Sequence, residues 1–217
     1  MDNLAAFADT IIALSPVIIA IAAIIALFQL RIAKNDIRTR SKREAVCLAA
    51  QKCEVFAKEI LPSYQTTIVN RQAAFPLKSW PLKDGEFSQS SIDNLGEAEQ
   101  WTADLRKKDV YHSGLDFLNR LEGISMYFTN GAADEGIAYP VIGSVFCIMV
   151  QQFAPLLIEL RGHMVETTIS GPYQNTVDLY RVWSVRQTRK KLQEEKDELS
   201  ARLDASRETK IKPIGTE

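Results

Sequence analysis

The sequence predicts an all-α protein: one N-terminal transmembrane helix continuing into a cytoplasmic four- or five-helix bundle, with an exposed C-terminal helix. Three observations carry this expectation. Thr10–Leu30 is twenty-one residues without a charge, and about 20 apolar residues in a helix cross the ~30 Å hydrocarbon layer of a bilayer. Apolar residues then recur at steps of three and four along most of the remaining chain, which is the period of one helix face. Finally, Arg189–Asp204 holds five basic and five acidic residues, several of them four apart, as on a solvated helix.

The flanks orient the first element. The residues before it carry Asp2 and Asp9 and no cation, whereas Arg31, Lys34, Arg38, Arg40, Lys42 and Arg43 follow it at once, against the single acid Asp36. A cleavable signal peptide has the opposite pattern, with cations before the apolar run. Basic residues near a membrane end stay on the cytoplasmic side. The expectation is therefore an uncleaved anchor with residues 1–9 outside, 10–30 in the membrane, and 31–44 as a basic juxtamembrane segment. Beyond setting topology, those six cations would attract anionic lipid headgroups. No aromatic side chains interleave them to stack on bases, so nucleic acid is not an expected partner.

A cytoplasmic helical domain is expected over residues 45–187. From Ala45 to Leu61, Val46, Ala49, Cys53, Phe56 and Ile60 form one apolar stripe, and Pro62 is expected to end or kink that helix. A further helical piece follows from Ser63 to about Ala74, carrying Ile68 and Val69. Phe75–Ser91 reads as a loop because Pro76, Pro81 and the Asp84-Gly85 turn signal break the periodicity. Its apolar anchors are Phe75, Trp80 and Phe87. They either pin the loop to its own domain or, for Trp80 above all, meet a partner.

Helical texture returns over Ile92–Lys108, and again over Tyr111–Thr129 with Phe117, Leu121, Ile124 and Phe128 as the inner stripe. Asn130-Gly131 supplies a stop, and Asp134 an N-cap for the helix after it. The next run, Ile137–Ile158, is twenty-two residues without a charge, long enough for a second span. Pro140, Pro155 and the adjacent Gln151 and Gln152 oppose that, since amides in hydrocarbon need partners. The reading adopted is the central buried helix of the bundle.

After a break at Ser170-Gly171-Pro172, the last helix starts near Asn175 and packs through Val177, Tyr180 and Trp183. Residues 188–210 form its charged extension, with Lys190–Glu194, Lys191–Glu195 and Glu198–Arg202 spaced to pair. Val185, Leu192 and Leu199 repeat every seven residues, with Leu203 four further on. They form either a solvated edge or a seam for a partner or a second copy. Residues 211–217 are expected to be a frayed tail.

Composition narrows the function classes. The chain carries a formal net charge of −1, and because residues 31–43 hold +5, the remainder is mildly acidic, which suits a soluble body and not a nucleic-acid surface. The three cysteines, Cys47, Cys53 and Cys147, form no disulfide framework. With only His112 and His163 in the chain, no metal spacing exists, and no cofactor is expected. No phosphate-binding glycine loop or nucleophile elbow is present. Glu122, Asp134 and Arg161 sit beside apolar stripes and are read as a structural polar network, with a Glu–Arg pair joining two helices.

The run FLNRLEGISMYFTNGAADE (117–135), followed by a long helix ending in LRGH and by VDLYRVWS with Trp183, resembles an uncharacterised bacterial family of small, N-terminally membrane-anchored all-helical proteins, a domain of unknown function. The resemblance implies a single-span anchor and a cytoplasmic helical domain, and brings no activity. The expectation for function is a membrane-tethered interaction protein of the bacterial inner membrane, serving as an adaptor, a sensor or a component of a defence or stress system, with no catalytic site. The alternative is a membrane-perturbing or pore-forming effector in which residues 137–158 also insert. An enzyme using Glu122, Asp134 and Arg161 is the third reading.

Overall fold

The computed structural model describes the backbone of residues 2–72, 78–106, 110–162 and 171–208, with side chains for 24–67, 78–83, 85–106, 111–162 and 171–205. The expectations for Phe75 and the tail 211–217 therefore lie outside the described residues, as do those for the side chains of Thr10–Ala23, Ile68 and Val69. Every regular element among the described residues is helical. The chain divides into two compact units, residues 1–47 and 48–217.

The first unit is the amino-terminal part of helix α1, which runs Asp2–Val55. Its side chains from Ile24 to Arg43 are all exposed.

The second unit holds the end of α1, a π-helical turn at Phe56–Ile60, and helices α2 (Leu61–Gln72), α3 (Leu95–Arg106), α4 (Val110–Thr129), α5 (Glu135–Gly162) and α6 (Gln174–Glu208). Of the two outcomes expected at Pro62, an end or a kink, the helical run does not end there, but the α-helical ladder is interrupted just before it. Pro62 itself stands in the first turn of α2. The turn just before it widens, so that the Leu61 N–H reaches back five residues to the Phe56 carbonyl. Single π turns of this kind absorb a break in the i→i−4 ladder.

Helix α4 buries the predicted stripe of Phe117, Leu121, Ile124 and Phe128. It stops at Gly131, whose φ of +69° suits a residue without Cβ. The Ala133 N–H then closes back on the Tyr127 carbonyl at 2.9 Å. Asp134 accepts from the Ile137 N–H at 3.2 Å and caps α5.

Helix α5 supplies much of the core through Phe146, Met149, Phe153, Leu156 and Leu157, all fully buried. Among the described residues it is the helix long and apolar enough to cross a membrane, and 67% of its most apolar 18-residue window is buried inside the fold. It is not apolar-and-buried all round, however. Ile137, Val141, Val145 and Ile148 are 40–66% exposed on the outer side of its first half.

The residues that argued against a second span turn out to hold the bundle together. Pro155 has no N–H to give the Gln151 carbonyl four residues earlier. That carbonyl accepts instead from the Trp80 N–H at 3.2 Å. The Gln151 side chain accepts from Ser79 Oγ at 2.9 Å and donates to Tyr180 Oη at 3.0 Å. Gln152 accepts from Tyr64 Oη at 2.5 Å. The loop and α2 thus cover the second half of α5, where the helix offers polar groups to meet them.

Candidate functional site

The expected site residues fall into four places. The first is the apolar-to-basic transition of α1. Ile24, Ile25, Leu27, Phe28 and Leu30 are 52–69% exposed. Arg31, Lys34, Arg38, Arg40, Lys42 and Arg43 follow and are exposed as well. Helical period winds both sets around the axis, so no side of this stretch is set aside for packing.

The second is a polar junction at the start of α6. The Glu122 carboxylate on α4 accepts four hydrogen bonds. Its Oε1 takes the Asn175 N–H at 3.0 Å and Asn175 Nδ2 at 2.8 Å. Its Oε2 takes the Thr176 N–H at 2.8 Å and Thr176 Oγ1 at 2.7 Å. A carboxylate so placed closes otherwise orphaned N–H groups at a helix start and faces the positive end of the helix dipole. Arg161 at the end of α5 holds the turn before it, with Nη1 on the Pro172 carbonyl at 2.7 Å and Nη2 on Gln174 Oε1 at 3.1 Å. Burial, and then the nearby Arg181, lower the Arg161 pKa from its ordinary value.

The turn held this way is a demanding one. Tyr173 sits at φ +58°, a left-handed conformation unusual for a bulky residue, and its hydroxyl donates to Asn119 Oδ1 at 3.0 Å. The expected Glu122–Arg161 ion pair is not made. Each residue grips a different part of the Pro172–Thr176 segment, because that segment brings more unsatisfied N–H and C=O groups than the two side chains could neglect to bond each other. Asp134 stands apart as the α5 cap. The ion pairs between helices among the described residues are others, including Arg186 Nη2 with Glu135 Oε2 at 2.7 Å and Arg106 with Glu159. Glu135 also accepts from the indole N–H of the buried Trp183, a role its sequence position beside Asp134 did not reveal.

The third place is Trp80. It is 3% exposed, with Lys78 Nζ 4.6 Å from the centre of its ring. Of the two readings given for this loop, its anchors pin it to its own domain, with Phe87 edge-on to Tyr180 at 5.4 Å, and the buried Trp80 ring is not the exposed partner anchor of the other reading.

The fourth is the carboxy-terminal half of α6. Trp183 is fully buried, and beyond it the helix leaves the core. Val185, Leu192, Leu199 and Leu203 are 49–63% exposed. Glu198 pairs with Arg202 at 2.6 Å and Lys190 with Glu194 at 3.8 Å. The Lys191–Glu195 pair does not close, and Glu195 has no ion-pair partner among the described residues.

Two of the clefts among the described residues border these elements. One of about 280 Å³ lies between α3 and α5, floored by Ile92, Leu95, Ala98 and Ile158. The other, of about 510 Å³, lies between the 81–85 turn and α6, with Tyr180, Val185 and Arg189 on its wall. Among the described residues no three His, Cys, Asp or Glu side chains gather to hold a metal. Cys147 is buried, and burial pushes its thiol up to about 12, which makes it a small hydrophobe and not a nucleophile.

No curated protein and no solved structure matches this chain. A family model described as Domain of unknown function (DUF4760) matches residues 16–183, beginning within the charge-free run of α1 and ending at the last buried residue of α6. That match covers well over half of the 217 residues, and the chain therefore belongs to the DUF4760 family.

Proposed function

We propose that this protein is a membrane-tethered helical interaction protein. Residues 10–30 cross the inner membrane of a bacterium with the amino terminus outside. Arg31, Lys34, Arg38, Arg40, Lys42 and Arg43 lie among cytoplasmic headgroups, and the helical body hangs in the cytoplasm. It binds a protein partner or a second copy of itself, as an adaptor, a sensor or a component of a defence or stress system.

The observation that carries this reading is the exposure of Ile24, Ile25, Leu27, Phe28 and Leu30 immediately before six cations. Five large apolar side chains left in water would each forfeit about 1.5–3 kcal/mol, a loss that hydrocarbon around them removes. The polar groups Glu122, Asp134 and Arg161 are engaged in holding helix ends, which supports an interaction role over a catalytic one.

The test is topology. Single cysteines at Asn3 and Ser200 are placed in a chain with Cys47 and Cys53 replaced by alanine and probed with an impermeant thiol reagent on intact cells. Labelling at position 3 with protection at 200 is expected. Labelling at 200, or release of the protein from membranes by alkaline carbonate, overturns the reading.

The second reading, an effector in which residues 137–158 also insert, draws on the exposed aliphatic side of α5 at Ile137, Val141, Val145 and Ile148. Insertion would strip Phe146, Phe153 and Leu156 from their core contacts and expose Gln151 and Gln152 to lipid. Its signature is labelling at Ser200.

A further inference from the structure

The exposed half of α6 has a seam whose charges select one occupant. Written as a heptad, Val185, Leu192 and Leu199 take position d, while Val182, Arg189, Lys196 and Leu203 take position a. Val182, Val185, Leu192, Leu199 and Leu203 are 48–63% exposed, so among the described residues this side is not buried in the core. Two parallel copies would set a against a. Arg189 would then face Arg189, and Lys196 would face Lys196, two like-charged layers in the middle of the seam.

An antiparallel pair sets a against d and the g positions beside each other. In one register Leu192 packs on Leu203 of the other copy, and Leu199 packs on the alkyl stem of Lys196, whose ammonium reaches water. The same register brings Glu195 beside Arg202 of the other copy twice, at two-fold-related places along the rim of g positions. Shifting it by one heptad in either direction puts Glu195 against Glu195, or Arg202 against Arg202. Glu195 also has no ion-pair partner among the described residues, although Lys191 stands four residues before it.

We infer that the partner of this seam is a second copy of the chain, docked antiparallel through Leu192, Lys196, Leu199 and Leu203 with reciprocal Glu195–Arg202 contacts. This deepens the self-association arm of the proposed function and rests on it. So short a seam is weak between free chains. Confinement of both copies to one membrane raises their effective concentration and lets it close.

The experiment uses full-length protein in membranes, with Cys47 and Cys53 replaced by alanine and the buried Cys147 retained. Two differently tagged copies, Leu192→Cys and Leu203→Cys, are expressed alone and together and oxidised. In the antiparallel register positions 192 and 203 of opposite copies meet, while each lies about 16 Å from its own counterpart. Crosslinks are therefore expected in the mixture between unlike tags, with neither variant linking to itself. Self-links at 192 and 203 without the mixed product mean a parallel pair and overturn the inference. Absence of all crosslinks overturns it too.

A charge arm tests the register independently. Glu195→Arg in both copies should reduce the mixed crosslink several-fold, and E195R/R202E should restore it; an unchanged yield in Glu195→Arg removes the basis for the register. Each sample is also split into membrane and soluble fractions, so failure of the tether appears as loss from the pellet, separately from failure of the pairing.

Discussion

Replacing Glu122 tests whether the polar junction is an architectural cap or a reactive site. Glu122→Ala deletes an acceptor of four hydrogen bonds and leaves the N–H groups of Asn175 and Thr176 without their partner. Thr176 is fully buried, so water cannot readily replace the lost oxygen at that N–H. An unsatisfied buried donor costs about 1–3 kcal/mol, loss of a cap about 1 kcal/mol, and loss of an anion at a helix start about 0.3–1 kcal/mol. These overlap, and about 2–4 kcal/mol is the expected total. For a body of this size each kcal/mol moves the melting midpoint by roughly 2–4 °C, giving a fall of roughly 5–15 °C. Glu122→Gln keeps one acceptor but turns its NH₂ toward the Asn175 donors, so about 1–2 kcal/mol is expected. Circular dichroism at 222 nm on the detergent-solubilised full chain reads both. A midpoint unmoved by Glu122→Ala would refute the cap, and loss of a cellular phenotype in Glu122→Gln at unchanged stability would point to chemistry at that carboxylate.

Two further outcomes are expected from the core. A Cβ added at Gly143 would lie 2.5 Å from Cδ2 and 2.9 Å from Cε2 of Tyr139, a ring that is itself held against Trp183 and beneath Arg186. Gly143→Ala should therefore cost about 1–3 kcal/mol in urea unfolding, with much of the loss recovered when Tyr139→Ala is added; an additive double variant would show that the ring is free to move aside. Cys147 tests linkage. Its folded pKa, pushed by burial to about 12, lies above the ordinary value of 9.0, so its contribution is complete below about pH 9 and is lost as the pH rises toward 12. Between pH 8 and 10 the wild type should lose about 1.4 kcal/mol more stability than Cys147→Ala. Tyr139 and Tyr180 are raised mainly by burial and in part by Cys147, so the comparison is confined to pH 8–10, and parallel pH curves for the two proteins there would contradict the burial of the thiol.

Elements whose cause is local were legible before folding. The stripe of Phe117, Leu121, Ile124 and Phe128, the Asn130-Gly131 stop and the Asp134 cap each depend on residues within one or two helical turns. The charged extension after Trp183 was legible for the same reason, since pairs four apart need no tertiary partner. Partners distant in sequence were not. Glu122 meets Asn175 and Thr176 more than fifty residues later, and its place beside an apolar stripe suggested an arginine mate that it does not take. For Trp80 the sequence left pinning and partner binding both open, because nothing nearby in the chain shows that the Gln151 carbonyl, released by Pro155, takes its N–H.

By itself the amino-acid sequence determined the helical class, the order of the helices, a charge-free run abutting six cations, and a heptad seam past Trp183. These arise from periodicity, breaker residues and charge, which act over a few residues. Only the tertiary structure shows what Ile137–Ile158 packs against, since length and apolarity are the same for a core helix and a membrane span. Gln151, Gln152 and Pro155 find loop and helix partners, and the aromatic and aliphatic side chains of α5 lose their water to other helices. A run of residues carries its own hydrophobicity, but what removes it from water is set by the fold.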